Sequence, residues 1–120
     1  MGQAVSNAAI LQAKLWYYQR ISAMLLALCV SVHLIIIYIA VQDGLTANEI
    51  LGRTRGNWAF ALFYEIFVLA CFVHAPIGLA NILRENIQNA FLNRALPLLL
   101  AALILLLGTM AVVGVVWGQP

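Results

Sequence analysis

Charge is what this 120-residue chain most lacks. It has six Lys or Arg and four Asp or Glu, 8% of the residues, against 65% hydrophobic residues and a mean hydropathy of +1.00. Soluble domains carry about a quarter of their residues charged. So few charges cannot coat a water-facing surface, which excludes a soluble enzyme, a nucleic-acid binder and a disordered segment. The net charge of +2 gives no sign of a polyanionic partner. Only two cysteines occur, Cys29 and Cys71, both inside apolar runs and without metal-site or disulfide-framework spacing, so they read as small packing residues. Proline is scarce as well, with three residues.

The gaps between charges are long. Residues 21–42 carry none, residues 56–83 carry only Glu65, and none follows Arg94. Each gap exceeds the ~20 residues with which a helix crosses ~30 Å of hydrocarbon. Backbone groups in lipid must pair internally, so the expectation is an all-α membrane protein with three transmembrane helices. We place them at 21–42, 57–83 and 95–117. A segment 1–20 lies at the interface before the first, loops 43–56 and 84–94 connect them, and a tail 118–120 follows.

Trp16, Tyr17 and Tyr18 suit one membrane edge, and Trp58 and Trp117 the other. Lys14, Arg20, Arg84 and Arg94 share one side and Arg53 and Arg55 the other. That bias predicts a cytoplasmic N-terminus and a cytoplasmic loop 84–94. The N-terminus does not read as a cleavable signal, because its basic residues come late and the apolar run is a full span. Met1-Gly2 to Ser6 fits a myristoylation pattern, which we read as coincidental in a three-span chain. Pro97 is expected in the first turn of the third span, and Pro76 to interrupt the second. Gly108, Ala111 and Gly114 offer the third span close-contact positions.

Two histidines and one acid remain inside the spans: His33, His74 and Glu65. Intramembrane ionisable groups are costly and point to function by default, although a single membrane histidine also serves as an interhelical hydrogen-bonding group. At 100° per residue, Gln19, Ser22, Leu26 and His33 form one stripe on the first span. His74 shares a face with Gly78, Asn81 and Glu85 on the second, and Glu65 lies opposite. An imidazole beside a glycine gap, with polar groups at one end, suits a flat apolar macrocycle with an acidic edge. Haem b requires such an imidazole, small neighbours, and donors or cations for its propionates; Gln19, Arg20, Ser22 and Arg84 are the candidates for these.

The spacing Gln19…His33, the run His74-Ala75-Pro76-Ile77-Gly78-Leu79 leading to Arg84, and the end Val115-Val116-Trp117-Gly118 together resemble the membrane-anchor subunits of succinate dehydrogenase and fumarate reductase. The likeness covers nearly the whole chain and is nearest the two-haem type. It implies that His74 ligates a haem nearer the cytoplasm and His33 one nearer the outer face. It also implies a second anchor subunit sharing the haems, iron–sulfur and flavoprotein subunits on the cytoplasmic side, electron transfer to or from membrane quinone, and a bacterial cytoplasmic membrane. The tyrosine that many ubiquinone-using anchors carry after the second span is replaced near Asn86. Glu49 falls near a glutamate implicated in menaquinol oxidation in some members. Quinone candidates are therefore Glu49 and Glu65 toward the outer side and Ser22 and Arg20 toward the inner. Counting from Arg20 and Arg84 puts the two histidines only ~5 Å apart in depth, leaving one shared haem open beside two. The rival readings are a haem-free structural anchor and a small multidrug-type transporter built on Glu65.

Overall fold

A computed structural model describes residues 1–119; the last residue of the 118–120 tail lies outside the described residues. Four helices follow in order: α1 (Gly2–Asp43), α2 (Ala47–Thr54), α3 (Trp58–Asn86) and α4 (Ala90–Trp117). Three of them, α1, α3 and α4, are long and apolar enough to cross a membrane. At 1.5 Å per residue they measure about 63, 44 and 42 Å.

The helix boundaries follow from local chemistry. Between Gly2 and Gly44 there is neither glycine nor proline, so nothing interrupts α1. The expected interfacial segment 1–20 is helical and continuous with the first span, residues 2–20 forming the first half of one 42-residue helix. Residues 1–14 of that half are all exposed. α1 ends at Gly44, whose φ of 111° is open to glycine but strained for other residues, and a Cβ there would collide with the Glu49 carboxylate. The loop 43–56 holds the short helix α2, opened by a capping box in which the Thr46 hydroxyl accepts from the Glu49 backbone N–H and the Glu49 side chain accepts from the Thr46 backbone N–H. Asn57 caps α3 through Phe60 N–H. Asn89 caps α4 through the N–H groups of Phe91 and Leu92, starting that helix five residues before the expected Ala95. Pro97 consequently sits two turns inside α4 rather than in its first turn. α3 continues through Pro76, which offers no N–H to the carbonyl of Phe72.

α3 is the central helix, packed on one side against α4 and on another against α1. The α3–α4 seam carries the core: Ala61, Val112 and Val116 are buried, with Phe60, Tyr64, Val68 and Val115 against them. Gly108 lets α3 come close, since a Cβ there would lie 2.7 Å from a Val68 methyl. Of the three small positions on this helix, Gly114 has open space around it and Ala111 is exposed, so Gly108 alone serves the internal contact. At one end Trp58 and Trp117 meet edge to face at 5.1 Å. There the α2–α3 corner is tied to the end of α4: the Thr54 hydroxyl donates to Val115 O at 2.5 Å and Gly56 N–H to Val116 O at 2.9 Å. Leu, Ile and Met side chains elsewhere on α1, α3 and α4 are mostly exposed, as expected of surfaces that meet lipid or another helix. The chain has the architecture of a multi-pass membrane protein.

Candidate functional site

The two polar stripes read on α1 and α3 meet each other. Ser22, 5% exposed, has its hydroxyl 3.3 Å from His74 Nδ1 and 3.1 Å from the carbonyl oxygen of Gln19. One turn along α3, Gly78 leaves room for the Gln19 side chain: a Cβ at Gly78 would stand 3.2 Å from Gln19 Nε2. Gln19 Oε1 is buried between the helices and has no hydrogen-bond partner. Gln19, Ser22, His74 and Gly78 thus form one cluster across the α1–α3 interface, with an unmatched amide oxygen inside it.

His33 lies in a second, aromatic setting. Its Nδ1 is 2.7 Å from the Tyr64 hydroxyl, and its ring stands edge-on to Tyr64 at 5.5 Å and to Phe67 at 5.7 Å. An apolar groove of about 660 Å³ opens beside it, lined by Tyr64, Phe67, Cys71, Ala75 and residues 100–108 of α4. On its other side a cavity of about 450 Å³ reaches the α2 end of the bundle, where Arg53, Thr54 and Asn57 line it together with Ile36, Ile37 and Leu45. Among the described residues, Nε2 of neither imidazole has a hydrogen-bond partner, and neither atom is sealed off.

The pairs Ser22–His74 and His33–Tyr64 fix the antiparallel register of α1 against α3. His33 sits level with Tyr64, ten residues from His74, so the two histidines differ in depth by about 15 Å. This corrects the ~5 Å obtained from charge positions, which mark membrane edges only loosely. Metal–imidazole bonds are about 2 Å long, so one iron cannot take both rings in this arrangement. Among the described residues no three His, Cys, Asp or Glu converge as a metal-ligand set.

Other candidates stand apart. Glu65 faces α4, opposite the histidine face as the helical angle requires, and its Oε1 accepts from the Thr109 hydroxyl at 2.9 Å. Arg20 is exposed, with its guanidinium 5.2 Å from the Trp16 ring centre. Arg84 is exposed and bonded within its own helix, to Asn81 Oδ1 at 2.6 Å and Ala80 O at 3.2 Å. Neither arginine touches the His74 cluster. Glu49 is spent on its helix cap: its carboxylate accepts from Thr46 Oγ1 at 2.6 Å and Thr46 N at 2.9 Å. Those bonds, the hydroxyl's first, hold its pKa below the ordinary carboxylate range, with help from the Arg53 charge. It does not line the cavity beside His33.

Tyr64, Thr109 and Asn57 are not among the sequence-derived site candidates, and Arg53 enters there only as a marker of topology. The first two become visible only once the register of α3 against α1 and α4 is known. The last two needed α2, whose Thr46-x-x-Glu49 capping pattern is readable in retrospect.

No protein-family profile, no characterised protein and no solved structure matches the chain. The class is therefore set by the fold: a multi-pass, all-helical membrane protein with two buried-face histidines at different depths.

Proposed function

We propose that this chain is a haem b-binding membrane anchor of a succinate:quinone or quinol:fumarate oxidoreductase in a bacterial cytoplasmic membrane. The observation that carries the reading is the His74 cluster: an imidazole held through Nδ1 by Ser22, an unengaged Nε2, and beside it Gly78 with the unmatched Gln19 Oε1. Ligating histidines characteristically use one ring nitrogen for a second-shell partner and the other for the metal.

The donor set fits the group in part: an imidazole with a free Nε2 and a glutamine amide stand together, the amide filling the space at Gly78, while Arg20 and Arg84 stand away from them. Nε2 of His74 would hold the iron, and the Gln19 side-chain amide would supply a polar contact to the group's acidic edge. His33, in its aromatic groove, would serve a second haem, because 15 Å of depth keeps it off the first. The α1–α3 interface offers one imidazole at each depth, so each iron needs its second imidazole from another anchor subunit. When bound, haem supplies a one-electron redox couple. The chain's own residues orient the imidazoles, exclude water and provide the apolar walls.

With the more basic end facing the cytoplasm, iron–sulfur and flavoprotein subunits would dock at the Lys14, Arg20, Arg84 and Arg94 end. The cavity beside His33 with Arg53 and Asn57 at its α2 end suits a quinone head at the opposite boundary better than Glu49 does.

The deciding experiment is to isolate the complex from its native membrane through a tag on this chain and record dithionite-reduced minus oxidised spectra with haem quantitation. The expected result is b-type haem, absent or depleted when the chain is expressed alone. A complex free of haem would reject the haem assignment in favour of a structural anchor. Full haem content in the lone monomer would reject the shared-ligand arrangement.

A further inference from the structure

The two histidines are held through the same ring atom, Nδ1, but by groups with different proton accounts. The Ser22 hydroxyl has one proton and two neighbours, Gln19 O at 3.1 Å and His74 Nδ1 at 3.3 Å. If Nδ1 carries the imidazole proton, it donates to Ser22 Oγ, and Ser22 donates onward to the carbonyl. Every donor is then used, and the two bonds reinforce one another. If Nε2 carries the proton instead, Ser22 must donate to Nδ1. Nε2–H is then an unpaired donor in the membrane interior, an expensive choice.

His33 faces a different count. Tyr64 has one proton, and among the described residues its hydroxyl has only His33 Nδ1 as partner. Either tautomer leaves one donor unused. A phenol is a better donor than an imidazole N–H and a poorer acceptor than an imidazole nitrogen, so the bond runs from Tyr64 to Nδ1 and the proton of His33 rests on Nε2.

Resting on the haem reading above, the geometry points to Ser22 as a positioning residue that locks neutral His74 in the Nδ1–H tautomer, with a bare Nε2 ready to bind iron, while Tyr64 holds His33 in the opposite tautomer. His33 must move its proton to Nδ1, and the Tyr64 hydroxyl must turn, before Nε2 can act as a ligand. The His74 site is therefore the preformed one and fills first.

The test is magic-angle-spinning NMR of the full chain, labelled with 15N-histidine, in lipid bilayers and free of haem. The chain has only two histidines, so His33→Gln and His74→Gln assign the signals. The expected spectrum shows His74 protonated on Nδ1 and His33 on Nε2. Ser22→Ala should lower the Nδ1–H to Nε2–H ratio of His74 by about five- to tenfold, the worth of one hydrogen bond, leaving His33 unchanged. Ser22→Thr should restore it. Wild-type His74 protonated on Nε2, or a ratio unmoved in Ser22→Ala, would overturn the inference, and the wild-type spectrum alone decides it if the alanine variant fails to fold. Nε2–H His74 in the haem-free chain, alongside an isolated complex that does contain haem, would sink this inference and spare the proposed function. Nδ1–H His74 alongside an isolated complex without haem would leave Ser22 as the residue that sets the tautomer, but would remove the proposed function and with it the iron-binding role of Nε2.

Discussion

Gly108→Ala tests the closest helix contact in the bundle. The added Cβ would stand 2.7 and 2.8 Å from the two Val68 methyls and 3.3 Å from Val68 Cβ. Carbon atoms pack best at about 3.5–4.0 Å, so α3 and α4 would have to separate by roughly 0.7 Å or more. Val68 cannot swing aside, because a valine in a helix has one strongly preferred χ1. Overpacking of this kind costs about 1–3 kcal/mol. Against it, alanine improves on glycine by up to about 1 kcal/mol in a helix interior. The net expectation is a loss of about 0–2 kcal/mol. Gly114→Ala supplies the control on the same helix: nothing lies within 4 Å of its added Cβ, so only the propensity gain applies. The two variants should therefore differ by about 1–3 kcal/mol in opposite senses. Adding Val68→Ala to Gly108→Ala removes the colliding methyls and should recover most of the loss. Equilibrium unfolding in mixed micelles, followed by fluorescence of the Trp58–Trp117 pair in a Trp16→Phe background, measures this across the very seam concerned. Gly108→Ala as stable as Gly114→Ala would refute the packing argument.

Three further expectations follow from the site geometry. On the proposed haem-anchor reading, His33→Ala and His74→Ala, each titrated in the assembled complex, should each remove a different haem redox component and keep the other; loss of the same component in both would refute two haems. Thr109→Val strips the donor from Glu65 and should destabilise the bundle by about 1–3 kcal/mol, whereas Glu65→Gln, which keeps an oxygen acceptor, should cost less in the same unfolding assay. Glu49 has a folded-state pKa below its unfolded value, so its cap stabilises α2 above the ordinary carboxylate range and is lost as pH falls through the lowered value. Protection of the amides of residues 47–54, taken relative to their intrinsic exchange at each pH, should fall in acid in the wild type and already be low at neutral pH in Glu49→Ala; protection that does not change with pH in the wild type would contradict this assignment.

The spans were legible because span length is a property of local composition: gaps without charge are visible one residue at a time. The faces were legible too. The angular stripes that put Gln19 and Ser22 with His33, and Gly78 with His74, are the ones found at the α1–α3 interface, and Glu65 faces away from them. Register was not legible. Which residue of α1 lies beside which residue of α3 depends on how two helices pack, and the placement of Arg20 and Arg84 gave a depth difference three times too small. Tyr64 as the partner of His33 is a product of register alone. The helices also run past the charge-free gaps: Asn89 and Thr46 are caps readable from sequence, and the turns that they open carry Arg94, Glu49 and Arg53, so charge spacing alone does not mark them.

The joints between helices also set an order of biogenesis. α3 and α4 are linked by three residues, 87–89, and zip along a short path from that turn to the Trp58–Trp117 pair. Local pairing of this kind forms early, since little chain must be closed before contacts are gained. α1 reaches α3 only across the stretch 44–57, so its docking is expected to come later. The half of the cluster that it brings, Gln19 and Ser22, arrives with it. Until then His74 has no serine against Nδ1 and Gly78 has no amide above it. Completion of the Gln19–Ser22–His74–Gly78 cluster thus waits on the docking of α1.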